Sequence, residues 1–591
     1  MGGRSRGGQT LGASHDELLI CAVEAHRRGD LARSERICGQ ILESDPTEPG
    51  AAQILGAILS ERDEAEEAIA LFDGAVPRVG NLDVDNVGFY NNFANALRRG
   101  TRHSQAEVLL RQIVGIQPKS WHAWHNLGQV LKDCERYNEA VAPLRRAAQL
   151  APEHGPNHAV LGEVLYHLGR LRSAEVSLRR CVELGWDADV NLWTLLGNTE
   201  RLLGDLTEAI ACLEHALKLS NGSAAARSNL AIAYGQAGRF EEAIDNAHRS
   251  ITLEPDTHIM HSNASYVLLS AGAIVEGWDE WEWGLLGPRG NERPTNAPRW
   301  TPEHRDGRVL CYREQGVGDE ILFASCYPDL IETARDVVIE TDPRVATLFA
   351  RSFPDADVRA QTINFRAGSV AESETMHDFD DAIPAGSLPG HFRAALDRFP
   401  DRESFLVADP DRVAAWNARL AGIGPGPFVG MSWRSRLKTA ERRLEYTQLD
   451  QWGELFAIPN VSWVNLQYDD CERDLRMAER KFGVQIHRWD WLDLMNDFEE
   501  VAALMKCLDL VVAPRSAVSM LAGGLGAPTV MMGNRWDWSD LGSDTSPWFP
   551  TIQLVFRHLG EEWDAVLATA ATAVRSIAAS GQRHRHTHAN D

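Results

Sequence analysis

Small residues recur at a fixed period in the first half of the chain, with large apolar residues such as Leu131, Tyr137 and Leu144 between them. They form two series, each with steps of 34, 35 and 34 residues: Gly128, Gly162, Gly197, Ala231 and Ala140, Ala174, Ala209, Ala243. Small side chains let two helices cross closely, so this period predicts stacked helical hairpins. A plain helical bundle is the alternative, but a bundle has no reason to keep a fixed period.

One stretch carries the clearest signature of these repeats. Its marker residues are Trp124, Leu127, Gly128, Tyr137, Ala140 and a closing Pro152. This order resembles the tetratricopeptide pattern. Weaker copies extend in both directions, marked by Leu31 with Ser34, Gly56 with Ala68, Ala94 with Ala106, and Ala264 before the aromatic stretch 278–283. We predict an α-solenoid, a tetratricopeptide superhelix of seven repeats and a capping hairpin, over residues 15–285 after a flexible segment 1–14.

Asparagine occupies one recurring position on the first helix of four repeats: Asn92, Asn126, Asn229 and Asn263. Val160 and Leu195 interrupt this series. In a superhelix the first helices line the concave surface, and an amide offers both a donor and an acceptor to the backbone of an extended peptide. We therefore predict that these asparagines bind an acceptor protein. The alternative is that they are solvated or bond locally within the array.

A different pattern follows the Gly/Pro/Asn-rich linker at residues 287–300. Short apolar runs alternate with helical or turn segments at 309–312, 337–340, 428–432, 461–466, 508–513 and 528–532. This alternation is typical of parallel sheets. We divide the region near residue 420 into halves 286–422 and 423–577, followed by a disordered tail 578–591 that contains a histidine-rich run. Residues 377–389 are predicted to form a loop over the cleft between the halves.

Two strand-to-helix turns carry candidate chemistry. In the first, Gly316 and Gly318 allow the backbone to approach a ligand, and Asp319 stands at the start of a helix. In the second, Ser516 takes the cap position of a helix whose dipole and free N–H groups attract a diphosphate, and Arg515 adds positive charge. The alternatives are a helix N-cap for Asp319 and ordinary ion pairs for the arginines.

These segments resemble bacterial tetratricopeptide proteins fused to a glycosyltransferase domain, relatives of the heptosyltransferases and the O-linked N-acetylglucosamine transferases. The likeness lies in segments 313–320, 430–435, 442–452, 466–467 and 516–526. It implies a GT-B fold, which is two facing Rossmann-like halves with donor and acceptor in the cleft between them and no bound metal or other cofactor required. The nucleotide-sugar is then a substrate.

The resemblance also implies roles for individual residues. Asp319 is the candidate general base, and Arg443 is the basic residue that contacts the donor diphosphate. The phosphate-binding helix start corresponds to Arg515, Ser516 and Ala517, with Arg434 and Gln467 at the matching strand ends. Arg515 and Met520 stand where heptosyltransferases commonly carry aspartate and histidine, and the O-linked transferases carry a histidine near the position of Asp319. The sugar is therefore left open.

The charge and composition of the chain limit the classes of partner and the cellular compartment that we expect for it. The formal net charge is -25, from 59 basic and 84 acidic residues, which disfavours nucleic acid or an anionic lipid surface as the main partner. The nine cysteines include no C-x-x-C pair, and no segment has the uncharged apolar run of a signal peptide or membrane helix. We expect a cytoplasmic protein with no membrane insertion.

Three functions remain open at this point. The first is transfer of a sugar to serine or threonine hydroxyls of a protein held by the repeats, for which flagellin is one candidate by resemblance. The second is a transferase for surface polysaccharide or lipopolysaccharide. The third is a scaffold whose transferase domain has lost catalysis, consistent with the altered residues at the second helix start.

Overall fold

The computed structural model describes residues 14–285, 297–361, 378–436 and 440–580. The chain divides into two compact units, Met1–Thr199 and Glu200–Asp591. Most of the predicted flexible start, the first ten residues of the predicted linker (287–296) and residues 581–591 of the predicted tail lie outside the described residues. Residues 578–580, also assigned to that tail, belong to the last helix.

The first unit is helical throughout its described part. Its helices are α1 (His15–Arg27), α2 (Leu31–Ser44), α3 (Pro49–Glu61), α4 (Ala65–Val79), α5 (Val87–Arg99), α6 (His103–Ile116), α7 (Trp121–Asp133), α8 (Tyr137–Leu150), α9 (Gly155–His167) and α10 (Leu171–Glu183). Helix α11 (Val190–Leu203) continues from the first unit into the second.

The second unit begins with the remaining helices of the array: α12 (Leu206–Leu219), α13 (Ala224–Gln236), α14 (Phe240–Leu253), α15 (His258–Ser270) and α16 (Ile274–Leu285). Residues 14–285 thus contain sixteen helices, or eight consecutive pairs. This number matches the predicted seven repeats and capping hairpin. Among the described residues, no helix is both long enough and apolar enough to cross a bilayer.

The periodic small residues lie where paired helices touch. A Cβ added to Gly128 of α7 would lie 2.4 Å from Leu144 of α8, and one added to Gly162 of α9 would lie 2.6 Å from Leu178 of α10. Ala140 of α8 is fully buried at the same crossing. The 34-residue period therefore reflects a steric limit that each hairpin repeats.

The α/β part of the second unit contains two parallel sheets. The first has the order β3-β2-β1-β4 and the second β10-β9-β8-β5-β6-β7. Their strands are β1 (Arg308–Tyr312), β2 (Asp336–Thr341), β3 (Asp357–Ala360), β4 (Asp381–Pro384), β5 (Phe428–Met431), β6 (Ser462–Asn465), β7 (Ile486–His487), β8 (Leu510–Pro514), β9 (Thr529–Asn534) and β10 (Ile552–Arg557).

Helices connect and cover these strands. They are α17 (Val317–Phe323), α18 (Tyr327–Thr333), α19 (Ala346–Ser352), α20 (Leu388–Phe392), α21 (Pro410–Ala421), α22 (Ala440–Arg443), α23 (Gly453–Phe456), α24 (Glu472–Phe482), α25 (Phe498–Lys506), α26 (Ala517–Gly524) and α27 (Asp564–Ser580). Helix α21 precedes the predicted boundary at residue 422, yet it packs against α25, and the Trp416 indole N–H donates to Glu500 over 2.8 Å.

The predicted loop over the cleft at residues 377–389 is wrong for its described part; His377 lies outside the described residues. Residues 381–384 form β4, which pairs with β1 and is buried throughout. The acidic residues at the start of this strand make its sequence look like a solvated loop. In the structure, the carboxylate of Asp380 accepts a hydrogen bond from the backbone N–H of Arg308, at the edge of the sheet.

The turn that follows β9 of the second sheet packs against the repeat helices. After β9, Trp536 adopts φ 103°, a conformation that bulky residues rarely take. Its indole lies against Gly235 of α13 and stacks on Phe240 with ring centroids 5.6 Å apart. The Tyr266 hydroxyl donates to the Trp536 carbonyl oxygen over 3.3 Å. Contacts on three sides hold this strained residue in place.

Gly128→Ala should destabilise the first unit. The new methyl group would overlap buried Leu144, and overpacking typically costs about 1–3 kcal/mol. Gly115→Ala in α6 is the matched control, since a Cβ there meets no atom within 4 Å and alanine favours the helix by about 0.5–1 kcal/mol. Urea unfolding followed by circular dichroism measures both. Equal midpoints for the two variants would contradict the crossing argument.

Gly235→Ala should displace the turn after β9. Its Cβ would lie 1.9 Å from the Trp536 ring, which is buried and cannot rotate away freely. We expect the Trp536 fluorescence to shift towards that of a solvent-exposed indole and the melting temperature to fall. Gly284→Ala is the control, because a Cβ added there would have its nearest contact at 3.3 Å, with Ser262. Gly238→Ala is unsuitable, because Gly238 has φ 75° and any side chain there would be strained. An unshifted spectrum in Gly235→Ala would contradict this packing.

Candidate functional site

The two predicted turns meet in the second unit. Helix α17 follows β1 and helix α26 follows β8, and their first residues touch: a Cβ on Gly318 would lie 3.4 Å from the Ala517 N and Cα atoms. A Cβ on Gly318 would thus be in van der Waals contact with Ala517, so the two helix starts lie close together but glycine is not required there. Gly316 has φ -71° and only an ordinary contact, 3.6 Å to the Asp319 carboxylate, so its backbone does not demand glycine. The carboxyl ends of β1 and β8 consequently face one another.

Asp319 lies in the first turn of α17 beside this junction. It is half-buried, and the N-cap position belongs to Gly316, so the N-cap alternative for Asp319 does not hold. Burial raises the pKa of the Asp319 carboxyl to about 6; the nearby Arg442 lowers it, and Asp537 raises it further. A carboxylate that titrates near neutrality and lies beside a cavity is suited to accepting a proton.

A cavity of about 400 Å³ is lined by Arg442 and Asp537, the two charged groups that act on Asp319, although Asp319 itself is not among its lining residues. Its lining includes four guanidinium groups, those of Arg201, Arg442, Arg515 and Arg535. Among the residues that the structure describes, two carboxylates, those of Glu445 and Asp537, line it with them. We call it the arginine cavity. The excess of positive charge in a recess with restricted access to water is suited to an anionic group such as a phosphate.

Arg515 is the most firmly held of the four. Its side chain is 8% exposed and pairs with Asp540 at 2.6 Å and Asp537 at 3.5 Å. Burial lowers the pKa of the guanidinium, but the neighbouring carboxylates outweigh it and the net shift is upward. Burial also raises the pKa of Asp540 to about 7, against the pull of Arg515. The adjacent Ser516 hydroxyl has no hydrogen-bond partner among the described residues.

The structure places Arg442, rather than the predicted Arg443, in the arginine cavity. Both side chains are exposed, but Arg442 lines the cavity and interacts with Asp319 and Asp537, whereas Arg443 does not line it. The two residues are adjacent in the short helix α22, where one position turns a side chain by about 100°. The sequence Arg-Arg cannot distinguish them without the orientation of this helix.

Arg434 and Gln467 lie together but do not line the arginine cavity. Arg434 pairs with Asp469 at 2.9 Å and with Asp474. The Gln467 amide oxygen accepts from the Ser432 hydroxyl and from two backbone N–H groups, and its nitrogen donates to the Arg434 carbonyl and to Asp469. Both ends of this amide are thus used within the fold, where they tie the ends of β5 and β6 together. Gln467 lines a second cavity of about 310 Å³.

Three of the four predicted asparagines bond locally. Asn126 donates to Asn91 over 3.2 Å, Asn229 to the Ala225 carbonyl over 3.0 Å, and Asn263 to the Ser228 hydroxyl over 2.9 Å. Asn92 is half-buried. Asn92 and Asn126 belong to the first unit, and Asn229 and Asn263 to the second. Asn263 also lines the arginine cavity.

The two residues that interrupt the asparagine series share a location. Val160 and Leu195 line a cavity of about 560 Å³ in the first unit, together with Pro156 and Ala159. In the second unit Met520 is buried in the core and is not part of the arginine cavity. Among the described residues, no group of three or more His, Cys, Asp or Glu side chains is arranged to hold a metal ion.

Sequence reasoning missed several residues of the arginine cavity. They are Arg201, Arg442, Glu445, Arg535, Trp536 and Asp537. Arg201 stands within a repeat, where a basic residue is ordinary. Arg442 lies in the short helix α22 and Glu445 just after it, and the other three residues lie in the turn after β9. The positive φ of Trp536 leaves no signal in the sequence, because glycine or asparagine would be the usual residue there.

Comparison with known proteins agrees with the repeat assignment. Tetratricopeptide-repeat profiles match residues 122–154 and 189–253. Three solved structures are similar to parts of the chain. The Cut9–Hcn1 hetero-tetramer of APC/C has a TM-score of 0.37 and 21% identity over 46% of this chain and 53% of that one. YrrB, described as a tetratricopeptide protein with an unusual peptide-binding site, has a TM-score of 0.27 and 26% identity, and the match covers 29% of this chain and 88% of YrrB. MamA has a TM-score of 0.27 and 18% identity, and the match covers 29% of this chain and 93% of MamA.

A longer match comes from a curated protein. Protein FlbA of Caulobacter vibrioides (strain ATCC 19089 / CIP 103742 / CB 15) is 33% identical over 405 residues, which cover 66% of this chain and 67% of the relative. The match is too long to be confined to the helical repeats. The chain is therefore a tetratricopeptide-repeat protein that belongs to the family of Protein FlbA.

Proposed function

We propose that this protein is a glycosyltransferase of the GT-B type, which moves a sugar from a nucleotide-sugar to a serine or threonine hydroxyl of a protein bound by the repeats. The observation that carries the proposal is the meeting of two strand-to-helix turns, one from each parallel sheet, beside Asp319 and the arginine cavity. Ligands of open parallel sheets bind at the carboxyl ends of the strands. Two such edges that face each other suit a reaction between two substrates.

The charges suit sugar transfer. The acceptor hydroxyl oxygen forms a bond to the anomeric carbon of the sugar while the bond from that carbon to the phosphate oxygen breaks. The hydroxyl proton passes to the Asp319 carboxylate, and the nucleotide leaves with the electron pair. Arg442 and Arg515 stabilise the negative charge that develops on the leaving phosphate, where electrostatic stabilisation is most effective.

The fixed position of Arg515 supports preorganisation. Asp537 and Asp540 hold the guanidinium through ion pairs within the protein, so it need not reorient as charge develops. The same carboxylates reduce its net charge, and this observation favours the second candidate, a protein-interaction scaffold without catalysis. Flagellin is the first acceptor to test, because the sequence resemblance described above names it as one candidate.

Incubation of the purified protein with several nucleotide-sugars and candidate acceptors, including flagellin, tests the proposal. The mass of the acceptor should rise by one or more sugar residues. Polysaccharide or lipopolysaccharide acceptors form the second arm, and modification of these alone would identify a surface-polymer transferase. An unchanged mass in every arm, with tight binding of a partner protein, would favour the scaffold.

Asp319→Asn should lower the transfer rate by at least about 100-fold, the usual contribution of a general base, while nucleotide binding persists. The wild-type rate should fall as the pH drops below about 6, because protonated Asp319 cannot accept the acceptor proton. Burial also raises the pKa of Glu314 to about 8 and of Glu320 to about 7, so the variant is needed to assign the base. The exposed Asp401→Asn is the control; a wild-type rate in Asp319→Asn would disprove the role.

Arg442→Ala should weaken binding of a nucleoside diphosphate by about tenfold or more, because a charged hydrogen bond contributes about 1.5–3 kcal/mol. Arg443→Ala, its neighbour in α22, should change the affinity little, since Arg443 does not line the arginine cavity. Isothermal titration calorimetry with UDP, GDP and ADP measures both. A larger loss in Arg443→Ala would restore the role that the sequence resemblance implies for that residue.

A further inference from the structure

The arginine cavity has two chemically different walls. The residues from the second sheet and its turns include Arg442, Arg515 and Arg535. The second wall comes from the repeats, with Arg201 in α11, Gln236 at the end of α13 and Asn263 in α15 among its residues. The first wall thus carries three guanidinium groups, whereas the repeats add one, that of Arg201, and two neutral amides. A single ligand that fills this cavity must present an anionic part to the first wall and neutral polar groups to the second.

Both amides keep unused hydrogen-bonding capacity. The Gln236 oxygen accepts from Arg201 over 3.3 Å, and its nitrogen bonds to none of the described residues. The Asn263 nitrogen donates to Ser228 over 2.9 Å, and its oxygen accepts nothing from the part of the chain that the structure describes. One donor and one acceptor therefore remain at this wall. Tyr266, Trp536 and Trp538 add aromatic surface beside them.

These observations separate Asn263 from the other asparagines of the series. Asn229, one repeat earlier, donates to the carbonyl of Ala225 in its own helix and does not line the arginine cavity. A ladder that followed an extended peptide would present its amides in the same way at both repeats. Here only Asn263 faces a cavity that also contains guanidinium groups. Its ligand is therefore one that carries a phosphate.

We infer that Gln236 and Asn263, on the repeat helices α13 and α15, bind the sugar of the donor and help to select it. This inference rests on the proposed function. In a nucleotide-sugar the anomeric carbon is bonded directly to a phosphate oxygen, so a phosphate held by the arginines places the sugar in the same cavity. Sugar hydroxyls both donate and accept, which matches the free Gln236 nitrogen and the free Asn263 oxygen. The last repeats then contribute to donor selection as well as to protein binding.

Calorimetry on the full-length protein tests the inference with UDP-glucose, UDP-N-acetylglucosamine, GDP-mannose and ADP-glucose, each beside its free nucleotide. For any nucleotide-sugar that wild type binds, Gln236→Ala and Asn263→Ala should each weaken binding about three- to tenfold, as expected for one hydrogen bond. The free nucleotide should bind these variants as it binds wild type. Gln553→Ala, an exposed amide on β10, is the control and should bind both ligands normally.

Other results overturn the inference in distinguishable ways. Unchanged nucleotide-sugar affinity with a raised KM for the acceptor protein would assign the two amides to the acceptor. Equal losses for the nucleotide-sugar and the free nucleotide would indicate a structural effect, and melting temperatures would identify any unfolding. Failure of wild type to bind every nucleotide and nucleotide-sugar would overturn the proposed function and, with it, this inference.

Discussion

The contact between Trp536 and Gly235 is the constraint on which the candidate site depends. The indole lies where any side chain larger than hydrogen would clash, and the Tyr266 hydroxyl holds the carbonyl of the same residue. The residues that follow are Asp537 and Asp540, which pair with Arg515. The Trp536 ring, packed against helix α13, thereby fixes the position of the buried Arg515 guanidinium at the end of a strand of the second sheet. Packing and electrostatics are coupled through a turn of five residues.

This coupling explains why a strained residue is kept. A bulky side chain at φ 103° carries a conformational cost, which is commonly of the order of 1–3 kcal/mol. Stacking on Phe240 and burial of most of the indole offset that cost. The arginine cavity is therefore bounded by groups that contacts within the protein hold in position. Preorganisation of this kind is what a site that stabilises developing charge requires.

The sequence predicts the two architectures better than the site. The 34-residue recurrence of Gly128, Gly162 and their partners predicts helical hairpins because each crossing obeys the same steric limit. The buried strands β1, β5 and β8 are continuous apolar runs, so they are also recognised. Strand β4 is hidden because Asp380 and Asp381 stand at its start.

The site depends on orientations that a linear pattern does not contain. Gly318 and Ala517 are found because strand-to-helix turns have a local signature, and their contact follows from two sheets facing each other. The choice between Arg442 and Arg443 depends on the rotation of one short helix. The contribution of Arg201, Gln236 and Asn263 depends on which repeats lie against the second sheet, a relation between residues that are far apart in the chain.

Repeat arrays usually evolve by gaining or losing whole hairpins, since each unit contacts chiefly its neighbours. The placement of Arg201, Gln236 and Asn263 in one cavity restricts that freedom in the second unit. Insertion of a hairpin between α13 and α15 would exchange the side chains that reach the cavity, whereas duplication among α1–α10 would leave its lining intact. Variation in array length within the family should therefore concentrate before residue 199, which leaves the start of the array free to diversify.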